Sequence, residues 1–448
     1  MNLPFQLTIK CIPEKQTETL TCTAILREIA GRRQVYAGQW NDKDVIIKIF
    51  SHKIRAKQHL KKEWLGLNLL RSRGLNCPEA LFYGKTENKK RVLVTEKIAD
   101  SSTALELFNA AKNKKEKLDL LIAVAKELAE QHKKGVMQKD LHLGNFLLTG
   151  SKIFALDSAQ MRFYAEEIPR GKSISQLAML GCYLSDDQTE ATEKLCEWYA
   201  IERKWQFNGQ DKALFQKQMV LHRKKSIKKE LKKCLRTGKR CLRVKAGNYI
   251  AVVDKNFCDE KKLLDLIKQI DTLMNAGRIL KNGNTCYVSC TSWNNKDIVI
   301  KRYNHKGLVH SLRHTVKGSR AKRCWLNGHR LLMLGTATPK PLAYIEQRKG
   351  LLVWKSYFVT EYVQGQRLCD FLRDKTVAEK QHSKIMQQIR AMLDNLGKYR
   401  IIHGDLKHSN ILITDNGPVL TDLDGMHIHR FDWTCKLQKK KDISHLNG

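Results

Sequence analysis

The chain has 448 residues, 42% of them hydrophobic and 7% aromatic, with 82 Lys and Arg against 45 Asp and Glu for a formal net charge of +37. That length suffices for two or three domains with their own cores, and an ordinary apolar content with only seven prolines excludes long disordered linkers. A field this positive attracts polyanions, whether nucleic acid, anionic lipid headgroups or phosphorylated glycolipid, and says nothing about fold.

The first twenty residues have no basic flank leading into an apolar core, and no window reaches eighteen apolar residues, so neither an export signal nor a membrane span is expected. "QWNDKDVIIKIF", Gln39 to Phe50, reads as a turn followed by a β-branched strand that carries Lys48. The segment from His59 to Gly84 sets apolar residues at helical spacing around Glu63 and Trp64, stops at Gly74 and then reaches a proline. "RVLVTE" is a further strand and "KEKLDLLIAVAKELAEQH" a long amphipathic helix. It leads into "VMQKDLHLGNFLLTGSKIFALDSAQM", where Asp140 is followed at +5 by Asn145 and at +17 by Asp157. Helical patterns recur in "SISQLAMLGCYL" and "EATEKLCEWYAIERKW". In the basic tract after His222, Ile227, Leu231, Cys234 and Leu235 make one apolar stripe among lysines. Such a helix either lies on an anionic membrane surface or packs its stripe inward.

The second half repeats this order. "SWNNKDIVIKRY", Ser292 to Tyr303, agrees with the first strand segment at six of twelve positions and carries Lys301. A helix around Trp325 stops at Gly335, "SYFVTEYV" is the next strand, and "EKQHSKIMQQIRAMLDNLGKY" the next long helix. "IIHGDLKHSNILITDNGPVLTDLDGM" then places Asp405, Asn410 and Asp422 at the same offsets. The expected fold class is α+β: two tandem protein-kinase-like bilobal domains, 1–235 and 236–448, each with an antiparallel-sheet N-lobe and a helical C-lobe. Only twenty-six residues follow Asp422, so the second C-lobe is expected to be minimal or to borrow packing from the first copy. Thirteen cysteines are scattered without a CxxC, and most are expected to be buried thiols in a reducing cytoplasm.

Phosphoryl transfer from ATP needs a cation on the non-transferred phosphates, a carboxylate to orient the attacking hydroxyl, and ligands for Mg²⁺. Lys48 and Lys301 suit the first role, Asp140 and Asp405 the second, and Asn145, Asp157, Asn410 and Asp422 the third, in protein-kinase order. The pattern departs from protein kinases in three respects. The last motif reads Asp157-Ser158-Ala159 or Asp422-Leu423-Asp424, no A-P-E follows, and the phosphate covers, 30–38 and Asn282–Ser289, are poor in glycine.

Through "IVIKRY", "FVTEYVQG", "HGDLKHSNILI" and "LTDLDGM" the second copy resembles the lipopolysaccharide core heptose/Kdo kinases. The first copy shares "VIIKIF", the helix with Glu63, "QKDLHLGNFLL" and "ALDSAQMRF". The resemblance implies a bilobal kinase using ATP and Mg²⁺ on the lipopolysaccharide core glycolipid at the cytoplasmic face of the inner membrane. The copies differ. Glu63 is placed to hold Lys48, but Cys324 stands opposite it and no acid occurs between Ile298 and Ile345, so Lys301 is either held otherwise or poorly positioned. Lys407 can reach the transferred phosphate, where copy one has His142. The acid-free span Lys301–Arg330 adds a second basic face. A competing reading is a catalytically weak kinase-like module that holds anionic lipid or RNA; a protein or small-molecule kinase also stays open.

Overall fold

The computed structural model describes residues 3–12, 16–29, 31–51, 55–185, 188–304, 315 and 317–447. Most of 305–316, the middle of the acid-free span, lies outside the described residues, as does Ala30 of the first phosphate cover. The chain divides into two units, Met1–His222 and Arg223–Gly448, which are described separately. The division precedes the boundary expected after Leu235, because the second part of the basic tract packs within the second unit.

In the first unit β1 (Phe5–Cys11), β2 (Thr17–Ile29), β3 (Arg33–Trp40), β4 (Lys43–Phe50), β5 (Ala80–Thr86) and β6 (Arg91–Glu96) pair antiparallel in the order 1-2-3-4-6-5. The expected N-lobe sheet is therefore closed into a barrel: β1 pairs with β2 on one side and with β5 on the other. Alternation explains what fills it. Val45, Ile47 and Ile49 of β4 face the interior with Ile9, Leu20 and Val94, so Lys48 faces out of it. The turn before β4 has Asn41 and Asp42 at φ of 45° and 58°, the two left-handed residues of a tight hairpin that Asn and Asp tolerate best. Helix α1 (Ala56–Ser72) lays Leu60, Leu67 and Leu70 against Phe50 and Leu93. It ends at Gly74, whose φ of 63° suits the expected stop. Below it the helices Lys114–Lys133, Arg170–Gly181 and Thr189–Glu202 share a core of Leu121, Leu128, Leu177 and Tyr199. Fully buried His132 crosses that core, with Nδ1 2.6 Å from the Tyr199 hydroxyl and Nε2 2.9 Å from Gln176 Oε1.

The second unit carries an open seven-stranded antiparallel sheet, whose order is Cys241–Ala246, Tyr249–Asp254, Pro341–Lys349, Leu352–Glu361, Lys296–Tyr303, Cys286–Trp293, Arg278–Gly283. Helix Glu260–Ala276 covers the face that bears Ile298 and Ile300, through Leu263, Leu266 and Ile270. By alternation Val299, Lys301 and Tyr303 face the opposite side, where helix Arg320–Met333 packs and the Tyr303 hydroxyl lies 3.2 Å from Cys324 Sγ. Further helices of this unit are Leu368–Arg373, Glu379–Lys398 and Asp432–Asn447. The tail of helix Gly209–Lys233 belongs to this unit from Arg223 on. There Arg223 donates to the Tyr399 hydroxyl at 3.2 Å, and the indole of fully buried Trp325 donates to the Cys234 carbonyl at 3.0 Å. Leu231 and Cys234 are buried, so the expected apolar stripe packs inward along part of its length. None of the thirteen cysteines is joined in a disulfide, and ten of them are buried.

Candidate functional site

In the first unit β4 aims Lys48 at α1, and its Nζ donates to Oε1 of Glu63. Glu63 is 1% exposed, and Arg33 Nη1 stands 4.0 Å from its other oxygen. α1 can approach the Asp157 turn closely because Gly66 has no side chain: a Cβ there would lie 2.7 Å from Ser158 Cβ. The same approach lets Ser158 Oγ donate to the Glu63 carbonyl at 2.9 Å. Asp157 is in the left-handed region, with φ of 56°. Burial and the Glu63 charge raise its pKa, while Arg33, Lys48 and His142 pull the other way.

Asn145 Nδ2 donates to the Asp140 carbonyl at 2.9 Å, and the Asn145 carbonyl accepts from the Leu156 amide at 2.8 Å. The amide group is thereby oriented with its nitrogen engaged and its oxygen left as an acceptor. Asp140, on the loop after Val136–Gln138, is exposed.

The second unit repeats these contacts. Asn410 Nδ2 donates to the Asp405 carbonyl at 2.8 Å, the Asn410 carbonyl accepts from the Thr421 amide at 2.9 Å, and Asp422 has φ of 53°. His403 Nε2 lies 2.9 Å from the Thr421 carbonyl and, as the donor, ties the start of the Asp405 loop to the strand before Asp422. Lys407 Nζ is 2.8 Å from Asp405 Oδ1, and that contact raises the lysine's pKa.

The lysine is held differently. Lys301 Nζ is 2.6 Å from Asp422 Oδ1 and 3.5 Å from Asp424 Oδ2. Asp424 also takes Arg320 Nη2 at 2.5 Å and the Cys324 thiol at 3.3 Å. Burial works against the Lys301 charge, yet Asp424 and Asp422 hold its pKa above the ordinary value. For Asp424 burial likewise opposes ionisation, and Lys301 and Arg320 prevail to keep it a carboxylate below its usual range. The doubt over Lys301 is thus resolved: it is held, by an acid supplied from the turn instead of the helix. Where Gly66 lets α1 close on its turn, Asn327 bridges to the Leu423 and Met426 carbonyls at 3.2 and 3.1 Å.

Sequence reasoning named Asp424 only as a departure from D-F-G and passed over Arg320 and Arg33. The signal for Asp424 was the acid-free span itself, since a buried lysine needs a counter-charge from somewhere.

A pocket of about 270 Å³ opens beside Lys301 and Asp422, walled by Val288, Val299, Phe358 and Leu412 and reached by the Glu361–Val363 segment. Among the described residues no three His, Cys, Asp or Glu side chains cluster as a metal site. One carboxylate and one amide oxygen per unit, Asp157 with Asn145 and Asp422 with Asn410, nevertheless fit Mg²⁺, which keeps several waters and takes its remaining ligands from phosphates.

Residues 273–446 match the model of the Lipopolysaccharide kinase (Kdo/WaaP) family, a family of kinases. Among solved structures the chain is similar to WaaP in complex with acyl carrier protein, at 18% identity over 45% of this chain and 88% of that one, with a TM-score of 0.34. It is also similar to vaccinia related kinase 3, at 12% identity over 37% and 53% with a TM-score of 0.28. A third likeness is to the Mycobacterium tuberculosis PknI kinase domain, at 15% identity over 37% and 71% with a TM-score of 0.27.

Proposed function

We propose that this chain transfers the γ-phosphoryl group of ATP to a hydroxyl of a heptose or Kdo sugar in the lipopolysaccharide inner core, and that it is a tandem pair of bilobal kinase-like domains. The observation that carries the reading is the second unit's pocket, where a half-buried cation, an aspartate in the left-handed region and an apolar slot meet within the segment that matches the family. A base and ribose would fill the slot between Val299, Phe358 and Leu412, with the phosphates toward Lys301. Lys301 would leave its ion pair with Asp422 for the phosphates, and Asn410 and Asp422 would hold Mg²⁺, which would supply positive charge to offset that of the phosphates.

Asp405 orients the acceptor hydroxyl and takes its proton as the oxygen bonds to the γ-phosphorus and the bond to the ADP oxygen breaks. Lys407, paired with Asp405, follows the moving charge. In the first unit Lys48 and Glu63, Asp140, Asn145 and Asp157 are set out for the same chemistry.

No helix among the described residues is long and apolar enough to cross a membrane. The net charge of +37 supports a peripheral position on the cytoplasmic face of the inner membrane, where the core glycolipid is an anionic partner.

The test is ATP-dependent labelling of purified core glycolipid by Asp405→Asn, Asp140→Asn and the double variant. Loss of the base costs about 10²–10⁴-fold in rate with little change in ATP affinity. Asp405→Asn is expected to show that loss. Should Asp140→Asn remove a second phosphate, both units are enzymes. Unchanged labelling in the double variant refutes the reading.

A further inference from the structure

The basic helix does more than pack its stripe. Ile227, Leu231 and Leu235, four residues apart on one face, form a wall of a second pocket, of about 540 Å³, with Leu326, Leu334 and Ile428 opposite them. This is within the ~300–1,000 Å³ of ordinary ligand sites. Five permanent cations also line it, Lys224, Lys228, Lys232, Arg330 and Arg400, and no carboxylate does. The three lysines share the spacing of the apolar wall, so each turn of the helix offers the pocket one apolar and one cationic side chain.

Asp432, a carboxylate that interacts with Arg400 and Lys224, lies outside the lining. Arg400 is paired with Asp432 at 2.9 Å, whereas Arg330 donates to the neutral amide oxygen of Asn327, and burial lowers its pKa. Burial and then the Arg400 charge lower the pKa of Lys224, while Asp432 and Cys435 pull the other way. One wall atom, Nε2 of His429, is buried without a hydrogen-bond partner among the described residues. Next to the pocket along the chain, Ile428 and Phe431 are each 51% exposed and Trp433 is 65% exposed. Trp and Phe beside a basic apolar surface are the residue types that settle at a lipid headgroup layer.

We propose that this pocket is a lipid-binding site of the second unit, taking one acyl chain of an anionic membrane phospholipid between Ile227, Leu231 and Leu326 with its phosphate on Lys224, Lys228 and Lys232. An apolar cavity alone would accept a neutral amphiphile, and a cationic patch alone would accept any polyanion. The two on one helix face select a molecule that is both. The inference deepens the peripheral reading given above and is independent of the catalytic site.

Co-sedimentation of the full chain with phosphatidylcholine vesicles, with and without phosphatidylglycerol, tests it through two charge-matched pairs of exposed lysines. Lys228→Glu/Lys232→Glu alters the pocket, and Lys225→Glu/Lys229→Glu alters the same helix off the pocket. The pocket pair is expected to lose about thirtyfold or more in affinity for the phosphatidylglycerol vesicles, and the other pair no more than a few-fold. Ile227→Trp, which fills the cavity without changing charge, is expected to weaken binding of lysophosphatidylglycerol while leaving inorganic phosphate ineffective as a competitor.

Equal losses from both lysine pairs would reduce the effect to diffuse attraction and overturn the site. So would wild-type indifference to phosphatidylglycerol, or displacement from vesicles by millimolar inorganic phosphate. Asp405→Asn is expected to bind vesicles as the wild type does, so failure of the lipid site and failure of the kinase reading are told apart.

Discussion

The two units hold their strand lysines with acids from opposite directions. In the first, the acid is Glu63 on the helix, and the residue two after Asp157 is Ala159. In the second, the helix position is Cys324, and the residue two after Asp422 is Asp424. Each unit has one acid at one of two facing positions and a small neutral residue at the other. What is preserved is a near-buried counter-charge within reach of the ammonium, whichever element supplies it. The choice has a dynamic consequence. Glu63 ties Lys48 to a helix packed on the sheet, whereas Asp424 ties Lys301 to the turn that carries Asp422, coupling the lysine to the proposed metal ligand.

The largest expected effect comes from deleting these acids. Asp424→Ala leaves Arg320 and Lys301 short of a partner and is expected to cost the second unit about 3–5 kcal/mol, as removal of one member of a buried pair does; urea unfolding of the full chain would read this. Glu63→Ala is expected to act likewise on the first unit. A sharper form moves the acid. Cys324→Glu combined with Asp424→Ala rebuilds the first unit's arrangement in the second and is expected to recover much of the stability and ATP affinity lost by Asp424→Ala alone. No recovery would mean that the turn acid does something the helix acid cannot.

A second difference, small near neutral pH and growing as acid is added, concerns His132. Burial is the main cause that pushes the pKa of His132 down to about 3, and Gln176 and Arg203 modify the shift. The folded first unit therefore keeps His132 neutral while the unfolded chain takes up a proton below about 6.5. Stability is full above that value and falls by up to about 1.4 kcal/mol per pH unit as pH drops toward 3. His132→Gln is expected to flatten this dependence in the first unit's transition and leave the second unit's unchanged.

The smallest effect is expected at the paired hairpins. Asn41 and Asp42, and Asn294 and Asn295, all have positive φ. Valine at Asp42 or Asn295 is expected to cost about 1–2 kcal/mol each, read as matched shifts in thermal unfolding; unequal shifts would show that one hairpin is less constrained.

The sequence displayed what is local. Lys48 and Glu63 are fifteen residues apart on a strand and the following helix, so their pairing could be read from spacing. The Asp–Asn offset of five sits in a single loop. Lys301 and Asp424 are 123 residues apart, and nothing local announces their contact. The barrel was illegible for a similar reason: closure depends on β1 meeting β5, some seventy-five residues later, and antiparallel alternation looks alike in an open and a closed sheet. Helix Glu260–Ala276 has an evident apolar period. It has no equivalent among the described residues of the first unit, so a reading built on repetition stepped over it.

Barrel closure leaves the first unit's β1–β6 sheet with no free margin, whereas the open sheet of the second unit ends in Cys241–Ala246 on one side and Arg278–Gly283 on the other. Unpaired backbone at such margins can recruit a strand from another molecule. Both margins carry features that discourage this. Arg243 and Lys245 are exposed on the first. The second carries Arg278 and Lys281 and is broken by a bulge between Ile279 and Lys281, although Ile279 itself is 53% exposed. Self-association of this protein, when it is destabilised, is therefore expected to begin at Arg278–Gly283, where two cations and one irregular residue stand between a folded sheet and an extended one.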